Sequence, residues 1–213
     1  MKLRAAPLER VVARICREAG ARVQTNVYLR DMNLHVMADD DRRIEVVASG
    51  LPLFGGQQLA VDVTMYGALT ADGRPRPRAT WQDGAALRDA RRDKERRYPE
   101  FLRGARCRLV VVALETGGRF SAETIAFLVG LSQARARAAP AYLRRAAEFA
   151  YFRRWSRLLA VAAASSLAAS LIEEKPTLCL DASPDGEAPW LADLLAEARH
   201  DDGLMPSRLP LRH

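Results

Sequence analysis

The segment Gln58-Leu-Ala-Val-Asp-Val-Thr-Met65 constrains the fold more than any other stretch of the chain. It is apolar on both sides of the two-residue alternation, with Asp62 and Thr64 as the exceptions. A strand with one wet face alternates apolar and polar residues, whereas one apolar on both sides is covered on both. Arg106-Cys-Arg-Leu-Val-Val-Val-Ala-Leu-Glu115 has the same interior character. The chain therefore folds around a central sheet with helices on both faces.

The rest of the pattern fits that plan. Leu8, Val11, Val12, Ile15 and Ala19 recur at helical spacing before Gly20, which predicts a helix over 8–19. Two further strands are expected at 22–30 and 43–48, separated by the acidic loop 38–41. After a Gly- and Pro-rich loop at 67–82, a charge-dense helix is expected from 85 to 102, bent or shortened at Pro99. Ser121 caps a helix to Ala136, Pro140 opens helices continuing to Ile172, and a short amphipathic helix follows at 190–199. The order is helix, three strands, helix, strand, helix, then an all-helical extension.

Charge narrows the partners. The net charge of +7 favours a polyanion, nucleic acid before an anionic membrane. Lysine occurs only at Lys2, Lys94 and Lys175, against a large excess of arginine. Cys16, Cys107 and Cys179 are far apart, and only three histidines accompany them. A disulfide framework or zinc site is not expected, and the thiols read as reduced and intracellular, nuclear or cytoplasmic. The apolar run 158–172 is short for a bilayer and carries three serines, so no membrane span is expected.

Three residues break local rules. Glu45 interrupts an apolar strand, Asp62 sits among residues that read as buried, and Lys94 stands alone among arginines on the next helix. Buried charges are expensive unless paired or bound to a cation. If the second and third strands are neighbours, Glu45 and Asp62 converge. Two carboxylates with a backbone carbonyl and waters suit Mg²⁺ or Mn²⁺, and an adjacent lysine suits a phosphoryl charge. Such a set is equipped for phosphodiester hydrolysis.

Arg43-Ile-Glu45, the glycine-containing turn, Ala60-Val-Asp-Val-Thr64 and Ala90 through Lys94 to Tyr98 together resemble the PD-(D/E)XK nuclease superfamily. More narrowly, they resemble the nuclease-like domains found downstream of reverse transcriptases in eukaryotic retroelement proteins. Leu109 to Gly118 and the helix after it are similar as well, so the likeness covers about residues 8–136. It implies a restriction-endonuclease-like mixed sheet flanked by helices over 1–137, a helical extension over 138–175 and a tail over 176–213. It implies Glu45 and Asp62 as catalytic acids and metal ligands. Thr64 stands where the family's lysine usually lies, and Lys94 is the migrated substitute. Glu18 would be the accessory acid, and Tyr98 lies one turn after Lys94 on the same helical face.

The implied activity is Mg²⁺- or Mn²⁺-dependent cleavage of DNA by part of a mobile-element protein. Arg88, Arg91, Arg92 and Arg97 would contact phosphates, positioning a duplex without reading it. The alternative is a catalytically inactive nuclease-fold module that binds nucleic acid or a protein partner, and the remainder of a larger polyprotein is a further candidate partner. The basic-aromatic stretch around Arg153, Arg154 and Trp155 reads instead as a packed helical interface with snorkelling arginines.

Overall fold

In the computed structural model, residues 6–32, 34–70, 72–103, 106–171 and 188–199 are described. The protein is a mixed α/β structure whose sheet comprises β1 (Arg22–Tyr28), β2 (Arg43–Ser49), β3 (Gln58–Tyr66) and β4 (Cys107–Glu115), in that spatial order. β1, β2 and β3 form an antiparallel meander, and β3 pairs with β4 in parallel. A parallel pair needs a crossover, and here it is the helical segment between them, α2 (Ala85–Arg97) and α3 (Glu100–Arg103).

The two faces differ in their cover. On one, Val46, Val61, Val63, Val110 and Val112 join a cluster with α1 (Ala6–Glu18), α4 (Ala122–Ala136) and the long α5 (Arg144–Leu171). Tyr151, Trp155 and Leu159 of α5 belong to this cluster together with Leu8, Val11 and Ile15 of α1. Leu194 of α6 (Leu191–Arg199) closes it. On the other face, Ala60, Leu109, Val111 and Ala113 pack with Leu87 and Ala90 of α2, Tyr98 and Phe101. The expected helix 85–102 is two helices, because Pro99 cannot supply the backbone N–H that continuation requires.

The outer edge of β4 is closed by side chains of α4. Glu123 Oε1 accepts from the Val111 amide at 3.2 Å, and Thr124 Oγ1 accepts from the Ala113 amide at 3.0 Å while donating to its carbonyl. Among the described residues no helix is long and apolar enough to cross a membrane. The tail expected over 176–213 is described only at 188–199, so Cys179 lies outside the described residues. Cys16 and Cys107 are free thiols, both buried.

Candidate functional site

The register between β2 and β3 runs Ala48↔Leu59, Val47↔Ala60, Val46↔Val61 and then stops. One step further would set Glu45 opposite Asp62, where cross-strand side chains on one face lie about 5 Å apart at Cβ. Hydrogen-bonded pairs alternate along an antiparallel ladder, so Val63 would next bond to Ile44. Instead the side chain of Glu45 takes that place, its Oε2 accepting from the Val63 amide at 3.2 Å. The ladder to β1 skips the same position: pairing runs Thr25↔Val46, omits Asn26 and Glu45, and resumes at Val27↔Ile44. Asn26 has φ of +54°, in the left-handed region that asparagine tolerates better than most residues. β2 is thus displaced from β3 at Glu45, and a carboxylate occupies the opening.

Asp62 is fully buried on the α2 side of β3. Its countercharge is Lys94, whose Nζ is ion-paired with Oδ2 and whose side chain is 16% exposed. Neither carboxylate oxygen of Asp62 receives a well-formed hydrogen bond among the described residues. Asp62 is compensated chiefly by the Lys94 ammonium, with the Glu45 carboxyl and the Tyr98 hydroxyl set near enough to share a proton with it. Burial, and next the negative charge of Asp62, push the Glu45 carboxyl up to about 8, against an opposing pull from Lys94.

Tyr98 completes the floor. Its ring is buried, and its hydroxyl donates to the Arg43 carbonyl at 2.9 Å. Burial, then the charge of Asp62, raises the pKa of its phenol. Thr64 lies two residues after Asp62 on the same face of β3, half-buried beside Ala113 of β4.

Glu18, the expected accessory acid, is elsewhere. It is buried in the opposite layer, where Arg14 Nε at 2.8 Å, Arg154 Nε and Nη2 at 3.1 Å and Trp155 Nε1 at 2.8 Å all donate to it. It ties α1 to α5. The acid of α1 that responds to the site is Glu9, whose carboxyl is raised by burial, then by Asp62, and lowered by Lys94 and Arg10. Sequence gave no reason to choose it, because an acid in a helix's first turn is ordinary.

The arginines of α2 are largely occupied. Arg88 donates to the Asp83 carbonyl at 3.1 Å, and Arg92 pairs with Asp89 at 2.6 Å. Arg91 is turned to Glu95 at 3.1 Å and Glu123 at 3.3 Å. Arg97 lies 5.4 Å from the centroid of the Tyr98 ring. A cleft of about 680 Å³ runs along the outer flank of α2, lined by Tyr66, Arg76, Arg92, Asp93 and Arg96 among others. Arg76 stacks over the Tyr66 ring at 4.1 Å.

The structure brings together Glu45, Asp62, Lys94 and Tyr98, leaves Glu9 within reach of their charges, and places Glu18 in the opposite layer. No group of three or more His, Cys, Asp or Glu placed to hold a metal ion is found among the described residues. Glu45 and Asp62 remain a two-carboxylate donor set, and Mg²⁺ is commonly held by one or two carboxylates with water and phosphate supplying the rest. No protein-family model matches the chain, and no curated protein matches it.

Proposed function

We propose that the opening between β2 and β3 is the centre of a divalent-cation-dependent endonuclease that hydrolyses DNA phosphodiester bonds, on a restriction-endonuclease-like scaffold of the retroelement kind. Asp62 carries the reading: a fully buried carboxylate held by Lys94 and facing a second acid that burial, and then the charge of Asp62, keep protonated. A carboxylate needed only for packing is ordinarily met by several donors, whereas this one is set against an ammonium and a second acid.

Mg²⁺ or Mn²⁺ fits this deficit. Glu45 and Asp62 would hold it, and the positive charge would favour loss of the proton that burial, and then the charge of Asp62, keep on Glu45. When bound, the cation supplies Lewis-acid polarisation of the phosphoryl group. Lys94 supplies a fixed ammonium beside the reacting phosphate, in a partly dry setting where such a charge acts strongly. Arg76, Arg92 and Arg96 along the flanking cleft would take neighbouring phosphates, exchanging their present acid partners for the backbone.

The test is plasmid nicking with Mg²⁺ or Mn²⁺, with and without chelator. Cleavage should require the cation, and Asp62→Asn and Lys94→Ala should each lower it at least about a hundredfold with folding retained. Cleavage indifferent to both substitutions removes the assignment. A second reading, a catalytically inactive module binding nucleic acid or a protein partner, is favoured by Thr64 at the position of the family's lysine and by the closed Asp62–Lys94 pair. It predicts salt-sensitive DNA binding that Asp62→Asn leaves intact and no cation requirement.

A further inference from the structure

The displacement of β2 has a visible cause in residues more than fifty positions further along the chain. Past the irregular pair Asn26 and Glu45, β2 is rotated: Ile44 joins the cluster on the α2 face although Val46 packs on the other. The Arg42 carbonyl accepts from Leu29 of the neighbouring segment at 3.0 Å. The Arg43 carbonyl turns the other way and accepts from the Tyr98 hydroxyl at 2.9 Å. Arg42 is gripped alongside, its guanidinium donating to the Arg97 carbonyl and pairing with Glu100 at 2.6 Å and Asp40 at 2.6 Å.

The end of the lysine helix is therefore fastened to the start of the Glu45 strand. The Val63 amide, which a continued ladder would give to Ile44, is left for the Glu45 carboxylate. Tyr98 is well suited to fix this arrangement, since its ring is buried edge-on to Phe101 at 6.1 Å and cannot follow the strand if it moves.

We infer that Tyr98 is the positioning residue of the site: its hydroxyl holds β2 off β3 at Arg43, and so seats the Glu45 carboxylate on Val63 beside Asp62. It acts through the strand that carries Glu45, with Asp62 also close to its hydroxyl. Lys94 in the last turn of α2 and Tyr98 at its C-cap put the ammonium and this fastening at one helix end, so that the amine and the acid from β2 are set together. The seating is a claim about the folded chain; its meaning for catalysis rests on the nuclease reading.

Amide hydrogen exchange on the full chain, without metal or DNA, tests the seating directly. Tyr98→Phe keeps the ring and removes the hydroxyl. Exchange at Val63 should quicken at least tenfold, while Leu59 and Val61, on the regular part of the ladder, keep their rates. Arg42→Gln, which loosens the same strand end from Arg97 and Glu100, should produce the same selective change. An unchanged Val63, or one that quickens only in step with Leu59 and Val61, overturns the inference and leaves Tyr98 a packing residue. Plasmid nicking supplies the second readout: Tyr98→Phe should lower the rate at least tenfold with the thermal midpoint little moved, and an undiminished rate removes the positioning role in catalysis. If the unaltered chain does not nick, the nuclease reading fails, and the exchange result still decides the seating.

Discussion

Asp62 and Glu18 are both fully buried carboxylates, on opposite layers of one sheet, and their surroundings could hardly differ more. Glu18 receives donors from Arg14, Arg154 and Trp155, so both of its oxygens are satisfied. Burial by itself would raise its carboxyl, but the hydrogen bonds from Arg154, Trp155 and Arg14 together hold it below the usual range. Asp62 has an ammonium against one oxygen and, in place of Glu18's two arginines and tryptophan, a second acid and a phenol nearby. Its neighbour Glu45 is driven the other way, up to about 8. Burial marks a carboxylate as costly; whether its lone pairs are spoken for separates an acid that holds the fold from one kept available for chemistry.

The largest difference should appear when each acid is neutralised without change of size. Glu18→Gln strands two arginines at a buried junction between α1 and α5, a loss of about 3–5 kcal/mol. In a chain of this length that lowers the thermal midpoint by roughly 10 °C. Asp62→Asn also breaks a buried pair, but it lets Glu45 ionise in place of Asp62 beside Lys94, so its cost should be clearly the smaller of the two. Thermal melts of the two variants side by side measure this. Equal losses would mean that Asp62 is as structural as Glu18.

The second difference is one of sign. The Glu45 carboxyl is raised in the folded chain, so the proton it carries there favours the fold. Its contribution is fully present below the ordinary carboxylate range and is lost as pH rises from there to about 8. Glu18, held low, contributes above the ordinary range and loses that contribution as pH falls below it. Denaturant unfolding in chelator between pH 5 and pH 8 (buffer values chosen to span that window) should show stability declining by up to about 1.4 kcal/mol per unit, one proton's worth. Glu45→Gln should flatten that decline and leave the acid-side loss in place. A decline that survives Glu45→Gln assigns it to another group.

Much of this contrast was legible in the residues, and the rest was hidden for physical reasons. β3 and β4 declared themselves by being apolar on both sides, and Asp62 stood out against that background. Lys94 was conspicuous as a lysine among arginines, and helical spacing from Leu87 and Ala90 carries it to the sheet face. Glu18 was misplaced although the pattern held the answer: with Leu8, Val11 and Ile15 it lies on the buried stripe of α1, which faces α5. The kink at Asn26 and Glu45 left no local trace, because the groups holding it arrive with Arg97, Tyr98 and Glu100. The acids that share α2 with its arginines predict that part of them pair internally, and the Asp83 carbonyl, Asp89 and Glu95 do take Arg88, Arg92 and Arg91.

The smallest effect asks whether the two layers are energetically separate. Trp155→Phe deletes the 2.8 Å hydrogen bond from Nε1 to Glu18 and leaves both arginine contacts standing. One donor lost to a charged acceptor, with a smaller ring in a fully buried position, should cost about 1–3 kcal/mol. The thermal midpoint would fall by a few degrees. Nicking below that midpoint should be unchanged, because Trp155 packs with α1 on the face of the sheet opposite Asp62 and Lys94. The sheet between them is regular at Val46↔Val61 and opens only one residue further on, at Glu45. A cleavage rate that fell by more than the folded fraction would show that strain in the Glu18 layer reaches the opening, through Glu9 on the helix that Glu18 anchors. Glu9→Gln would then reproduce the loss without lowering the midpoint, and the division between a structural acid and an available one would have to be redrawn along α1.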